Sequence, residues 1–288
     1  GWIIGVKIIF PIKKEDRKPT IPGGMESLKK DLKDLGKVSF NEVKSIVIFA
    51  SILALWVTDK WHGVSPTAVA FLGAIVALMP KIGIVKWNDV DIEVFYDSKH
   101  SVNIEKMLDA VERSLAYYTK NFGPYYHKQC RIIEFPRYAN FAQAFPGSMP
   151  YSESFGFVID LEDETDNNVI DAVIAHEMAH QWWAHQVVGA NMQGGTMMSE
   201  SFAEYSSLMT MKSISSSPMK MREFLKYDHD RYLRGRSGET DKELPLYKVE
   251  NQTYIHYGKG SVILYALQDF IGEDNVNSAM KSFLEEFR

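Results

Sequence analysis

Cysteine is nearly absent from this chain: Cys130 stands alone among 288 residues, so no internal disulfide can form and a disulfide-stapled scaffold is excluded. Excess positive charge is absent as well. A formal charge of -5 and an isoelectric point near 5.9 leave no polycationic footprint, which excludes a dedicated nucleic-acid binder. There is no internal repeat and no low-complexity tract. Hydrophobic residues at 45% and charged residues at 24% exclude a disordered or collagen-like polymer. No charged n-region precedes the first apolar stretch and no small-residue cleavage site follows it, so no signal peptide is expected. Charge is missing most sharply in two runs, residues 45–58 (SIVIFASILALWVT) and 61–80 (WHGVSPTAVAFLGAIVALMP).

What is present divides the chain in two. Residues 1–44 carry ten Lys/Arg against six Asp/Glu, a balance of +4, and residues 45–92 carry three of each sign. The remainder, residues 93–288, therefore holds -5 minus +4, or -9. A bilayer core needs about 20 apolar residues of helix, a length the 61–80 run meets and the 45–58 run meets only if its flanks snorkel. Residues 1–12 read as the tail of another apolar helix interrupted by Lys7. Short apolar runs also occur as buried helices of soluble cores. The basic linker of residues 13–44 and the tryptophans Trp56, Trp61 and Trp87 near the run ends favour a membrane, with the linker on the cytoplasmic side. Residues 54–91 (ALWVTDKWHGVSPTAVAFLGAIVALMPKIGIVKWNDVD) resemble an internal piece of a divalent-anion/sodium symporter. The resemblance covers two or three of that family's helices and includes no complete substrate or sodium site.

The texture then changes. Residues 91–97 alternate as a strand does. Residues 103–122 form an amphipathic helix with Ile104, Met107, Leu108, Val111 and Leu115 on one stripe, Asn103 as N-cap and Gly123–Pro124 as stop. Residues 130–135 and 155–160 read as short strands, and from Asn168 onward the pattern is helical. The expectation is an α+β domain over residues 93–288, preceded by a mostly α-helical, membrane-associated segment over residues 1–92.

Within the helical part, His176-Glu177-Met178-Ala179-His180 forms an H-E-x-x-H. Positions i and i+4 share a helix face, so both imidazoles can reach one zinc ion. Glu200, in the second helical stretch TMMSESFAEY, completes the His, His, Glu set of a catalytic zinc and leaves one position for water. Glu177 sits beside the ligand face, within reach of that water's proton. Residues 187–195, with three glycines, supply the turn between the two helices. Glu204, one turn beyond Glu200, reads either as an orienter of a histidine or as an exposed carboxylate. Arg231, Arg234 and Arg236 with Asp228 and Asp230 read as a solvated, charged helix end, and His256 as a packed ring.

These motifs resemble those of the gluzincin aminopeptidases, the aminopeptidase N-like family, and most closely the peptidase domains of bacterial multi-spanning permeases. HEMAHQWW is similar to the family's HExxHQW, and SESFAEY to its glutamate-bearing segment. YGKGS at 257–261 is similar to the segment carrying its catalytic tyrosine, and YSESFGF at 151–157 to the stretch that anchors a free amine. Two departures stand out. One residue more than the family's usual number separates His180 from Glu200, which the glycine-rich turn would absorb, and Tyr151-Ser152 replaces Gly-Ala. The resemblance implies a thermolysin-like catalytic domain holding one Zn2+ through His176, His180 and Glu200. It implies Glu177 as general base, Tyr257 as donor to the oxyanion and Glu153 as anchor for a peptide's free N-terminus. The expected protein is a membrane-associated zinc aminopeptidase. The alternatives are a membrane transport component and a zinc-supported domain without catalysis.

Overall fold

The computed structural model describes residues 33, 40–77, 81–159, 169–215, 217–250 and 252–288. The apolar tail of residues 1–12, most of the basic linker and the ends of the 61–80 and 155–160 runs lie outside the described residues. The chain forms two compact units, Gly1–Met79 and Pro80–Arg288.

In the first unit, α1 (Phe40–Val57) is followed by the single turn Asp59–His62 and by α2 (Pro66–Ala77). The apolar run expected over 61–80 is therefore not one helix. Gly63 takes a left-handed φ of 70° and caps the preceding turn through its N–H to the Asp59 carbonyl. Ser65 then accepts from the Ala68 N–H at 3.2 Å, and Pro66 opens α2 at the position that lacks an intrahelical donor partner anyway. The 12 residues of α2 rise about 18 Å, short of a hydrocarbon core of roughly 30 Å. Among the described residues no helix is long and apolar enough to cross a membrane.

The second unit is built on a four-stranded sheet in the order β1 (Lys81–Trp87), β2 (Val90–Tyr96), β3 (Gln129–Phe135), β4 (Ser148–Ser152). β1 pairs antiparallel with β2 through the two-residue turn Asn88–Asp89, where Asn88 adopts φ 52°. The junction expected near residues 90–93 thus lies within a hairpin of the second unit. β2, β3 and β4 run parallel, with Ile92 opposite Cys130 and Ile132 opposite Met149. Those four side chains are wholly buried, and α3 (Ile104–Asn121) lays Met107, Val111, Leu115 and Tyr118 on the same core. The apolar stripe read from the sequence is the buried face. Asn103 departs from expectation: its side chain makes no cap bond and instead donates to the carbonyls of Gly156 and Ile159 at 2.8 and 3.0 Å, tying the start of α3 to the chain beyond β4. No strand forms over residues 155–159: Phe155 ends a 3-10 turn, Glu153–Phe155, and the strand of this region, β4, lies upstream of it.

The core is covered by α4 (Val169–Ala179), α5 (Phe202–Ile214), α6 (Pro218–Ser237), α7 (Gly260–Ile271) and α8 (Glu273–Phe287), together with two π-helical turns, Met197–Ser201 leading into α5 and Tyr254–Lys259 leading into α7. α4 is central. Ile170, Ile174, Ala175, Met178 and Ala179 are all buried, so this helix meets protein on nearly every side. Its buried polar residues each need a partner. Asp171 finds Lys106 and Arg113, both at 3.2 Å; the others, His176 and Glu177, form the candidate site.

Candidate active site

His176 and His180 stand one turn apart, and the helical bond pattern continues far enough for the His180 N–H to reach the His176 carbonyl at 3.3 Å. Their Nε2 atoms face each other at 3.0 Å. Glu200, on the π turn Met197–Ser201, brings Oε2 to 3.4 Å from His176 Nε2 and 3.6 Å from His180 Nε2. A tetrahedron whose corners lie about 2.0–2.1 Å from its centre has edges of roughly 3.3 Å, so these three atoms can hold one zinc ion. Glu200 Oε2 is buried without a hydrogen-bond partner among the described residues, the condition of a ligand atom rather than of a packed carboxylate. Behind the rings, His180 Nδ1 lies 3.0 Å from the Trp183 carbonyl, whereas His176 Nδ1 makes no hydrogen bond among the described residues and has Glu204 Oε1 at ion-pair distance, 3.6 Å. Glu204 is thus not an exposed carboxylate.

The charges are strongly coupled. Burial opposes a charged His176, but Glu204 and Glu200 hold its pKa well above the ordinary imidazole value. Burial and the neighbouring His176 depress His180 to about 4. Burial would raise Glu200, yet the adjacent His176 and His180 pull it down to about 2. Burial pushes Glu177 up to about 7, against the pull of His176 and with Glu200 adding to the rise.

Two sequence segments close on this centre. Residues 141–148 fold back on β4, with isolated bridges Ala142–Tyr151 and Phe145–Ser148. Gln181, next after the second histidine, clamps the tip: it accepts from the Gly147 N–H at 2.9 Å and donates to the Phe145 carbonyl at 3.0 Å. On the other side lies YGKGS, and each of its residues has a contact that accounts for it. A Cβ at Gly258 would stand 2.7 Å from the Asp228 carbonyl oxygen, so glycine lets the π turn seat on α6. A Cβ at Gly260 would stand 2.3 Å from Ser201 Oγ, so glycine also lets it seat against the turn that carries Glu200. Lys259 pairs with Glu243, and Ser261 donates to Asp228 Oδ2 at 2.7 Å. Ser201 donates to the His256 carbonyl at 2.7 Å, joining the two π turns directly. Tyr257 is held between: its ring centroid lies 5.7 Å from that of His176 and 4.8 Å from that of His256. Burial, and Glu200 beside it, raise its phenol above the ordinary range, so the hydroxyl remains a donor.

A cavity of ≈370 Å3 opens on this group. Its polar end has His176, Glu177, Glu204 and Tyr257; its apolar wall has Val173, Leu208, Met211 and Phe224. It also contains Asp228 and Arg231, which the sequence suggests to be part of a solvated helix end. Asp228 is buried under Ser261, and Arg231 lays its guanidinium over the Tyr257 ring at 4.4 Å. Arg236 is also not free, standing 3.6 Å from Glu243. The signal available beforehand was the i, i+3 spacing of Asp228 and Arg231 on one helix face. Glu153 is placed elsewhere: it is not among the residues lining the cavity, and its Oε1 lies 3.8 Å from Arg137, in a group with His100 and Glu134. A larger hollow, ≈670 Å3, lies along the glycine-rich loop of residues 189–196 and contains none of the donor atoms.

Comparison with known proteins gives two separate matches. The domain model of peptidase family M1 matches residues 106–288, and that of the sodium:sulfate symporter transmembrane region matches residues 7–94. A probable aminopeptidase 1 of Sulfurisphaera tokodaii is 27% identical over 189 residues, covering 63% of this chain and 24% of the relative. Human endoplasmic reticulum aminopeptidase 2 is 28% identical over 187 residues, covering 62% of this chain and 19% of the relative. A membrane protein of Cupriavidus necator is 29% identical over 83 residues, 28% of this chain and 15% of the relative. The chain thus spans about a quarter or less of the length of these relatives.

Proposed function

The chain belongs to peptidase family M1, and we propose that residues 93–288 form a zinc-dependent aminopeptidase that hydrolyses the first peptide bond of a substrate with a free N-terminus. The observation that carries this reading is the mutual spacing of His176, His180 and Glu200 beside a buried Glu177, next to a cavity shared with Tyr257. When bound, zinc supplies Lewis acidity toward the scissile carbonyl and its attacking water. The chain's own residues do the rest. His180 is oriented by its bond to Trp183, and His176 carries Glu204 behind it at ion-pair distance, an arrangement that presents both Nε2 atoms to the centre. Glu177, buried and with its pKa near neutrality, takes the proton of the attacking water and passes it to the departing amine. Tyr257, kept protonated, donates to the oxygen that becomes negative. Glu153, which follows β4 outside the cavity's lining residues and stands 3.8 Å from Arg137, is assigned the substrate's ammonium group on the resemblance alone.

Residues 1–92 are proposed to attach this domain to a membrane. The match to a symporter region and exposed apolar side chains such as Ile46, Phe49, Trp61 and Phe71 support that role. A transport component is the second reading, favoured by the same match. Zinc stoichiometry on purified, folded protein, followed by a panel of aminoacyl-peptides, tests the first reading. One zinc per chain with cleavage confined to free N-termini is expected; a folded chain that takes up no zinc would overturn it.

A further inference from the structure

Arg231 has no part in the hydrolysis just proposed. Among the described residues, Arg113, Arg131, Arg137 and Arg236 each stand near a carboxylate, Arg222 and Arg234 are solvated, and Arg288 is exposed and donates to the Tyr126 hydroxyl. Arg231 is different. It is half-buried, it lines the cavity, and among the described residues no carboxylate lies within 4.0 Å of it. Its guanidinium rests on the face of Tyr257, at 4.4 Å. Asp228, one turn back on α6, makes no ion pair with it within 4.0 Å; one of its carboxylate oxygens accepts from Ser261 at 2.7 Å.

An arginine partly withdrawn from water and lining a binding cavity without an anion is incomplete. The planar guanidinium stacks on an aromatic ring with one face and leaves its in-plane N–H fork for a carboxylate. We propose that Arg231 binds a carboxylate of the substrate next to the scissile bond. The position limits which carboxylate qualifies. Tyr257 is assigned to the scissile carbonyl oxygen, and Arg231 lies on that same ring, so the anion is separated from the carbonyl by only a few bonds. Two sources have that reach: an acidic side chain on the first residue, or the C-terminal carboxylate of a dipeptide. The inference rests on the aminopeptidase reading for its substrate, but the cavity and the guanidinium stacked on Tyr257 stand independently of turnover.

Equilibrium binding decides it, measured calorimetrically on the full zinc-loaded chain carrying Glu177→Gln to stop hydrolysis. Leu-Ala against Leu-Ala-amide tests the C-terminal source; Glu-Ala-amide against Gln-Ala-amide tests the side chain. One acid of the two pairs is expected to bind on the order of 10- to 100-fold tighter than its amide, the worth of a charged hydrogen-bonded contact. Arg231→Met should abolish that ratio, and Arg231→Lys should keep part of it. Equal affinity of acid and amide in both pairs, a result that needs no Arg231 variant, would overturn the proposal. So would an equal loss for acid and amide in Arg231→Met, which would make Arg231 a positioning residue for Tyr257. If the chain without Glu177→Gln cleaves no peptide while the acid preference persists, the aminopeptidase reading falls and Arg231 stands. Cleavage without any acid preference does the reverse: the role of Arg231 falls and the aminopeptidase reading stands.

Discussion

At the scale of single residues, the site separates holding from reacting. His180 is a proposed ligand, held from behind by Trp183, so His180→Ala removes a corner of the donor triangle and should lose zinc outright, as elemental analysis would show. Glu177 is not one of the three corners. Glu177→Gln should keep full zinc content and lower kcat by about 10²- to 10⁴-fold, the usual contribution of a general base. Full turnover in that variant would remove Glu177 from the mechanism. Tyr257→Phe keeps the ring between His176 and Arg231 and deletes the hydroxyl alone. A fall in kcat of about 10²- to 10³-fold with KM little changed is expected if the hydroxyl meets the oxyanion. Steady-state kinetics on one neutral substrate would separate these outcomes. The convergence of His176 and His180 was legible in the sequence because a helix repeats its faces at i and i+4; the approach of Glu200 from a second segment was expected from the resemblance. Arg231 was not, because a charged run on a helix looks the same whether it faces water or a cavity.

At the scale of elements, the working residues sit on irregular turns. Glu200 and Tyr257 both lie on π turns, which hold more residues per turn than an α-helix. A period of 3.6 residues, the repeat by which helices announce themselves in sequence, does not describe such a turn. β4 escaped for a related reason: Ser148, Pro150 and Ser152 give it little strand propensity, and its pairing comes from β3 and the folded-back segment. α3, in contrast, was plain, because its stripe is buried throughout. The packing of the two π turns yields a prediction. Ala at Gly258 would meet backbone of α6 and Ala at Gly260 would meet Ser201, so each substitution should cost about 1–3 kcal/mol and depress kcat by displacing Tyr257 from Glu200. At exposed Gly238 an added Cβ finds only ordinary contact, 3.7 Å from the Gly235 oxygen. Gly238→Ala should stay within about 0.5 kcal/mol when all three variants are compared by urea titration. Equal effects at all three positions would mean that the glycines of YGKGS do not set the site.

At the scale of the whole molecule, the two compact units answer to different forces, and zinc should tell them apart. All three proposed ligands lie in the Pro80–Arg288 unit, two at the end of α4 and the third on the π turn before α5. An unfolded chain scatters these groups, so the ion binds the folded state almost exclusively and stabilises it by mass action. At a free zinc concentration about 1,000-fold above Kd that amounts to about 4 kcal/mol. For a domain of roughly 200 residues each kcal/mol moves Tm by about 2–4 °C, so zinc should raise the melting temperature of this unit by about 10 °C. The Gly1–Met79 unit has no share in the donor set, and its transition should not move. Calorimetry on the full chain with and without a chelator would show one shifted transition and one fixed. A chelator that shifts neither would mean that the His176, His180 and Glu200 atoms are spaced by packing alone. One that shifts both would mean that the units unfold together, and that the segment resembling a symporter is stabilised by the peptidase domain as well as joined to it.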